Sequence, residues 1–189
     1  RRLPANLSDR RGISAALLVA TIVVLAQPCE SQEPTWTSFG TNNGLPSGDI
    51  YSIAASQGQV WAGMSGAVAR LASNSTWVAV NPPGLATRVT CISIVEGDVW
   101  LGTFGNGLFR YSQGVWKSYT TDEGLPDNRV ADLTSDGDYL YIATSGGGSR
   151  VSLDAATPSF ENIGAADGPE EPTSAVAVVK DMVWFGTNA

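Results

Sequence analysis

The pair Gly-Leu occurs at Gly44-Leu45, Gly84-Leu85 and Gly124-Leu125, each copy 40 residues after the last. The first and third continue with Pro46 and Pro126, the second with Ala86, and a weaker fourth copy stands at Gly168-Pro169. A fixed period of this length means that the chain stacks copies of one unit, so the unit dictates the fold. Aromatic residues keep the same period. Trp36, Trp77, Trp116 and Phe160 lie 41, 39 and 44 residues apart, and Trp61, Trp100, Tyr141 and Trp184 lie 39, 41 and 43 apart. Each member of the second series is followed two residues later by a small residue: Gly63, Gly102, Ala143 or Gly186.

One period shows what the unit is. Val89 to Val95 is a run rich in β-branched residues, and Glu96-Gly97 then reads as a tight turn. Asp98 to Gly102 is a second strand, Phe104-Gly105-Asn106-Gly107 a loop, and Leu108 to Tyr111 a third strand. Ser112-Gln113-Gly114 is a turn before a fourth strand, Val115 to Tyr119. Short strands separated by Gly, Asn and Asp read as hairpins, so each period is a four-stranded antiparallel meander. After Ala26 no segment keeps a 3.6-residue apolar period over helical length. A lone meander cannot bury both faces, whereas copies arranged radially bury them against their neighbours. Some 40 residues with four strands suits a propeller blade better than a coil of a β-helix solenoid. The sequence therefore predicts an all-β chain: a β-propeller fragment of four-stranded blades, about three complete and the rest partial. The large aromatics are expected to pack between blades.

The expected divisions are a signal peptide or membrane segment over 1–26, a linker over 27–34 and a partial propeller over 35–189. The repeats within the propeller fall at about 35–76, 77–115, 116–159 and a truncated 160–189. Trp36 to Phe39, read as a strand, precedes the first complete meander and takes the phase of an outermost strand. It is expected to close the ring with a blade beyond Ala189. The chain itself is read as a piece of a longer protein.

At the N-terminus Arg1, Arg2, Arg10 and Arg11 precede an apolar run from Ile13 to Ala26, which ends in the small residues of a cleavage site. That order is the signature of secretion. The run covers about 21 Å as a helix, short of the roughly 30 Å of a bilayer core. Pro28 before Cys29 departs from the small residue that lipid attachment needs, and Cys91, in an apolar run, reads as a small buried hydrophobe. Without residues 1–26, which hold four Arg and one Asp, the net charge is −10. Such a surface repels phosphate backbones, which argues against nucleic acid as a partner.

Trp116-Lys-Ser-Tyr-Thr-Thr-Asp-Glu-Gly-Leu-Pro-Asp-Asn-Arg-Val130, followed by Leu140-Tyr-Ile-Ala-Thr-Ser-Gly-Gly-Gly148, resembles the repeat of the two-component regulator propellers. Trp100-Leu-Gly-Thr-Phe-Gly-Asn-Gly-Leu-Phe-Arg-Tyr111 resembles its other half. The resemblance spans residues 35–189, with departures at Met64, Ala86, Ala143 and around Gly164 to Pro172. It implies the periplasmic sensor region of a membrane-bound signalling protein, often responsive to oligosaccharides. It also implies that the parent protein continues through a transmembrane helix to a histidine kinase or a diguanylate cyclase. Its remaining blades and signalling domains would be this segment's partners, and the parent is expected to dimerise in the inner membrane.

In a meander, alternate loops emerge at one end. The Gly-Leu-Pro loops and the loops between second and third strands are thus expected to share a face, the natural place for a ligand. Asp49, Arg88 and Arg129 start innermost strands near the central funnel and are candidates for binding sugar hydroxyls or acidic groups. Asn106 and Asn128 are candidates in the same loops, with turn formation as the competing reading. No catalytic residue, metal or cofactor is expected in this segment. The chain has no histidine, and Asp122-Glu123 and Glu170-Glu171 are neighbours in loops rather than carboxylates facing one bond. A secreted glycan-active propeller enzyme and a protein-binding scaffold are the competing functions.

Overall fold

A computed structural model describes residues 36–154, 158–163 and 171–187. The expected signal segment and linker, Cys29 and the degenerate stretch Gly164 to Glu170 lie outside the described residues. The described residues from Ser38 onward belong to one compact unit, and their regular structure is strand apart from two short 3-10 turns.

The first sheet is β1 (Ser52–Ser56), β2 (Gln59–Gly63), β3 (Val68–Leu71) and β4 (Trp77–Ala79). The second is β5 (Val89–Val95), β6 (Asp98–Thr103), β7 (Leu108–Ser112) and β8 (Val115–Tyr119). The third is β9 (Val130–Ser135), β10 (Tyr139–Thr144), β11 (Gly147–Ser152) and β12 (Phe160–Ile163). The described part of the fourth is β13 (Thr173–Val179) and β14 (Met182–Thr187). Each complete sheet pairs its strands in chain order, and every pairing is antiparallel. The first strands β1, β5, β9 and β13 lie side by side in succession, as the inner strands of blades around an axis do. This is a β-propeller arc of three four-stranded blades and the first two strands of a fourth.

The core lies between blades. Trp61 joins Val68, Val89, Val99, Leu101 and Phe109 between the first and second. Trp100 joins Leu108, Tyr119, Val130, Leu140 and Val151 between the second and third, and Tyr141 meets Ala143 and Val176 at the third interface. Burying a ring of this size supplies much of an interface's hydrophobic stabilisation, which is why the aromatic period was visible. Hydroxyls stitch the inner strands together. Ser52 Oγ donates to Val89 O at 3.1 Å and Thr90 Oγ1 to Val130 O at 2.5 Å.

Two of the expected packing aromatics do not pack. Trp184 is 59% exposed, since among the described residues no sheet covers the far face of β14, and Trp36 is 94% exposed. Residues 36–40 carry no strand among the described residues, and the blade with which the sequence reading pairs them is not among those residues. Phe39 does reach the first blade, edge-on to Trp77 at 6.1 Å between ring centres.

The Gly-Leu marker has a backbone cause. Gly44, Gly84 and Gly124 have φ of 93°, 81° and 104°, in the left-handed region where a side chain is strained. Gly124 ends a single 3-10 turn, Thr121–Glu123, and Leu125 then drops into the core. The turn opens with a reciprocal cap: Asp122 N–H donates to Thr120 Oγ1 at 3.2 Å, and Glu123 Oε2 accepts the Thr120 N–H at 2.7 Å. Glu123 Oε2 also accepts the Thr120 hydroxyl at 2.8 Å, and the bonds from the Thr120 hydroxyl and then its N–H hold the Glu123 carboxyl below its ordinary value.

Candidate functional site

The loops entering each first strand meet the loops between second and third strands through the backbone. Phe104 N–H donates to Arg88 O at 2.9 Å, Gly107 N–H to Asn128 O at 2.9 Å and Ser145 N–H to Arg129 O at 3.0 Å. The Gly-Leu-Pro loops and the β2–β3, β6–β7 and β10–β11 loops therefore share one end of the arc. The Gly107–Asn128 bond links the second blade to the third, and Gly66 N–H to Thr87 O at 3.0 Å links the first to the second, so this loop face is braced across blade boundaries.

On it stands a row of alternating aromatic and guanidinium groups. Arg88 Cζ lies 5.0 Å from the ring centre of Tyr51 and 5.0 Å from that of Phe104, and Arg129 Cζ lies 5.7 Å from the same Phe104 ring. These distances fit cation–π contact. Tyr51 is 47% exposed and Phe104 52% exposed, and both arginines are exposed. Tyr51 stands just before β1, Arg88 before β5, Phe104 after β6 and Arg129 before β9. Three successive blades thus contribute to one surface.

The five residues singled out in the sequence separate into three groups. Arg88 and Arg129 come together around Phe104. Asn106 and Asn128 serve the loops: Asn106 Oδ1 accepts from Ala86 N–H at 3.0 Å, Thr87 N–H at 2.9 Å and the Thr87 hydroxyl at 2.9 Å. Asn128 Oδ1 accepts the Thr121 N–H at 3.0 Å. Asp49 is exposed, its own N–H donating to Ser47 Oγ at 3.1 Å, and its carboxylate joins no ion pair among the described residues. Asp127, by contrast, closes a turn with its carboxylate, as its Oδ1 accepts the Arg129 N–H at 2.7 Å.

Tyr51 and Phe104 were missed by sequence reasoning. A signal existed for Phe104, because the matching loop positions in the flanking blades are Ser65 and Ser145. Those serines occupy the same backbone site: Ser65 bridges to Arg88 as Phe104 bridges to Arg129, and Ser145 bonds Arg129 as Phe104 bonds Arg88. A phenyl ring is thus not something the turn requires.

A cleft of about 690 Å³ lies elsewhere, between Tyr141, Arg150 and Glu161 of the third blade and Trp184 of the fourth. It runs beside the open edge of β14, whose one partner among the described residues is β13. It is the flank of a two-stranded sheet and has no loop face around it.

No protein-family model matches the chain, and no curated protein does. Solved structures do. An extracellular domain assigned to a hybrid two component system, BT3049 of B. thetaiotaomicron, superposes with a TM-score of 0.67 at 21% identity over 83% of this chain and 23% of that one. The corresponding domain of BT4673 from the same organism gives 0.64 at 24% identity over 80% and 22%. Virginiamycin B lyase of Staphylococcus aureus gives 0.59 at 20% identity over 74% and 49%. The chain therefore spans under a quarter of the two extracellular domains and about half of the lyase. At these identities the likeness establishes the fold, and the first two neighbours agree with the resemblance carried by the sequence motifs.

Proposed function

We propose that this segment is part of an extracytoplasmic ligand-sensing propeller in a membrane-bound signalling protein, and that its ligand is an oligosaccharide. The observation that carries the reading is the braced loop face with Tyr51 and Phe104 left half-exposed beside Arg88 and Arg129. Exposed aromatic rings on a rigid scaffold suit the apolar faces of sugars, and guanidinium N–H groups suit their oxygens. The basic-apolar-small order of residues 1–26 supports export. The two extracellular-domain neighbours support the same compartment. Binding is favoured over catalysis because Glu123 and Asp127 are committed to turns, which leaves the exposed Asp49 without either of them as a free partner acid. In the parent protein such a domain would pass its ligand state through a membrane helix to a kinase or cyclase.

Virginiamycin B lyase, a neighbour in fold, favours a second reading as a secreted enzyme. One experiment separates the two. The purified ectodomain containing this segment is titrated with a panel of oligosaccharides by calorimetry, and each sugar is then recovered and sized. Binding with the sugar returned intact supports the sensor, and cleavage of the sugar supports the enzyme. A panel that neither binds nor is cut overturns the oligosaccharide assignment.

A further inference from the structure

We propose that Arg88 and Arg129, held beside the Phe104 ring, form a subsite for the acidic groups of an anionic oligosaccharide. This rests on the sensing reading above and adds the charge class and the residues that select it.

Charge distribution is the first argument. Seven basic residues follow Ala26 in a chain of net charge −7. Arg110 is paired with Asp98 at 2.5 Å and Arg150 with Glu161 at 2.8 Å. Arg88 and Arg129 form no ion pair among the described residues, yet both lie within 6 Å of one ring centre. Two like charges gathered at one place repel each other, and an anion between them removes that cost. Arg70, Lys117 and Lys180 are also exposed and outside any ion pair among the described residues, but only Arg88 and Arg129 share one aromatic ring.

Rigidity is the second. The roots of both side chains are fixed by backbone bonds, within the blade by Phe104 N–H to Arg88 O and Ser145 N–H to Arg129 O, and from the preceding blade by Gly66 N–H to Thr87 O and Gly107 N–H to Asn128 O. A guanidinium laid over an aromatic ring keeps its N–H edge free, and that edge matches the two oxygens of a carboxylate or sulfate. Tyr51 and Phe104 leave ring surface exposed beside those edges, where the C–H face of a sugar can lie. An inorganic anion would use the arginines and leave the rings idle.

The third argument is the broken repeat. The flanking blades build the same turn with Ser65 and Ser145, so folding does not demand an exposed phenyl at 104. Its presence between two arginines is what a ligand site requires and a turn does not.

The test uses the ectodomain containing this segment, titrated with four probes: oligogalacturonate, chondroitin sulfate oligosaccharide, a neutral xylo-oligosaccharide of the same length, and inorganic sulfate. We expect one of the acidic sugars to bind more tightly than the neutral one, with affinity falling as salt rises. Whether the uronate or the sulfated sugar wins identifies the acidic group. Arg88→Gln and Arg129→Gln should each weaken that binding about tenfold or more, since each removes a charge-assisted bond. Phe104→Ser installs the residue that the neighbouring blades already use, so it should weaken binding while leaving the melting temperature unchanged. A neutral sugar bound as tightly as the acidic ones overturns the anionic subsite but leaves the sensing domain standing. Acidic binding that survives Arg88→Gln/Arg129→Gln overturns the subsite alone. Response to inorganic sulfate only, or to none of the probes, overturns both.

Discussion

Gly102 of β6 and Val130 of β9 are packed so closely that a methyl group on Gly102 would sit 2.6 Å from Val130 Cγ1. The same relationship holds one blade earlier, where a methyl on Gly63 would lie 2.6 Å from Val89 Cγ1. The small residue two places after each core aromatic is therefore a socket for the first-strand valine of the next blade. Gly102→Ala should destabilise the protein by about 1–3 kcal/mol, the usual cost of overpacking a filled core. Val130→Ala in the same chain should recover part of that loss, because it removes the Cγ1 contact while leaving the methyl against Cys91 Sγ. A thermal or urea melt of the two single variants and the double variant measures the coupling. Additive losses would show that the socket does not hold the blades together.

The sockets explain why so much of the fold could be read from residues. Trp61, Gly63, Trp100 and Gly102 recur because every blade boundary poses the same packing problem, and the left-handed turn at Gly44, Gly84 and Gly124 recurs for the same reason. Even the exception is consistent. Where Ala143 replaces the glycine, the next first strand begins with Thr173, which places a hydroxyl where valine would place a methyl and bonds it to Thr144 O at 3.1 Å. The candidate site was less legible. Arg88 and Arg129 stood out because they start inner strands, but Tyr51 and Phe104 break the repeat, and a search for periodicity discards what occurs once. Asn106 and Asn128 could not be separated from ligand contacts until their acceptors were seen to be filled. Trp36 keeps the aromatic period, and the blade that the sequence reading assigns it as a partner lies beyond Ala189.

Asn106 offers one oxygen to three donors, Ala86 N–H, Thr87 N–H and the Thr87 hydroxyl. Its amide nitrogen is incidental to that arrangement. Asn106→Ala should cost about 1–2 kcal/mol, since the loop donors lose their acceptor. Asn106→Asp should retain most of the stability at pH 7. Three donors favour the charged carboxylate and hold its folded pKa below the unfolded value of about 3.9. That contribution is fully present above the unfolded value and is lost as pH falls through the folded one. Denaturation of the Asp variant at pH 7 and pH 3 checks the sign. Equal losses for Ala and Asp at pH 7 would mean that the oxygen is not what holds the loop.

Asp136 closes the turn between β9 and β10. Its Oδ1 accepts from Asp138 N–H at 2.9 Å and Tyr139 N–H at 2.8 Å, and its Oδ2 from the Tyr141 hydroxyl at 2.8 Å. Partial burial pushes this carboxyl up, but the bonds from Tyr139, Tyr141 and Asp138 together outweigh it and leave the pKa below the ordinary 3.8. The Tyr141 phenol moves the other way, raised by burial and then by its bond to Asp136. Tyr141→Phe removes one of the three donors, so the Asp136 carboxyl should titrate at a higher pH in that variant, followed by carbon NMR of the side chain. An unmoved titration would show that the phenol bond does not persist in solution.

Cys91 on β5 lies under the second interface, with its sulfur 3.7 Å from Thr90 Oγ1 and packed against Gly102. Burial, as the leading cause, pushes the thiol from 9.0 up to about 12, with the nearby Asp132 carboxylate adding to the rise. The folded protein therefore keeps a proton that the unfolded chain releases. Stability should be unaffected below pH 9 and should decline as pH rises from there toward 12. Because the thiolate is the reacting species, the native thiol should also resist alkylation. In a Cys29→Ser background Cys91 is the one thiol left in the chain, so modification by iodoacetamide at pH 8.5 reports on it directly. The native protein should react slower than the guanidinium-unfolded chain by about a hundredfold or more, as the lower thiolate fraction requires. Comparable rates in the two states would mean that the interface between the second and third blades opens on the timescale of the reaction, and the socket at Gly102 would then be far weaker than its geometry implies.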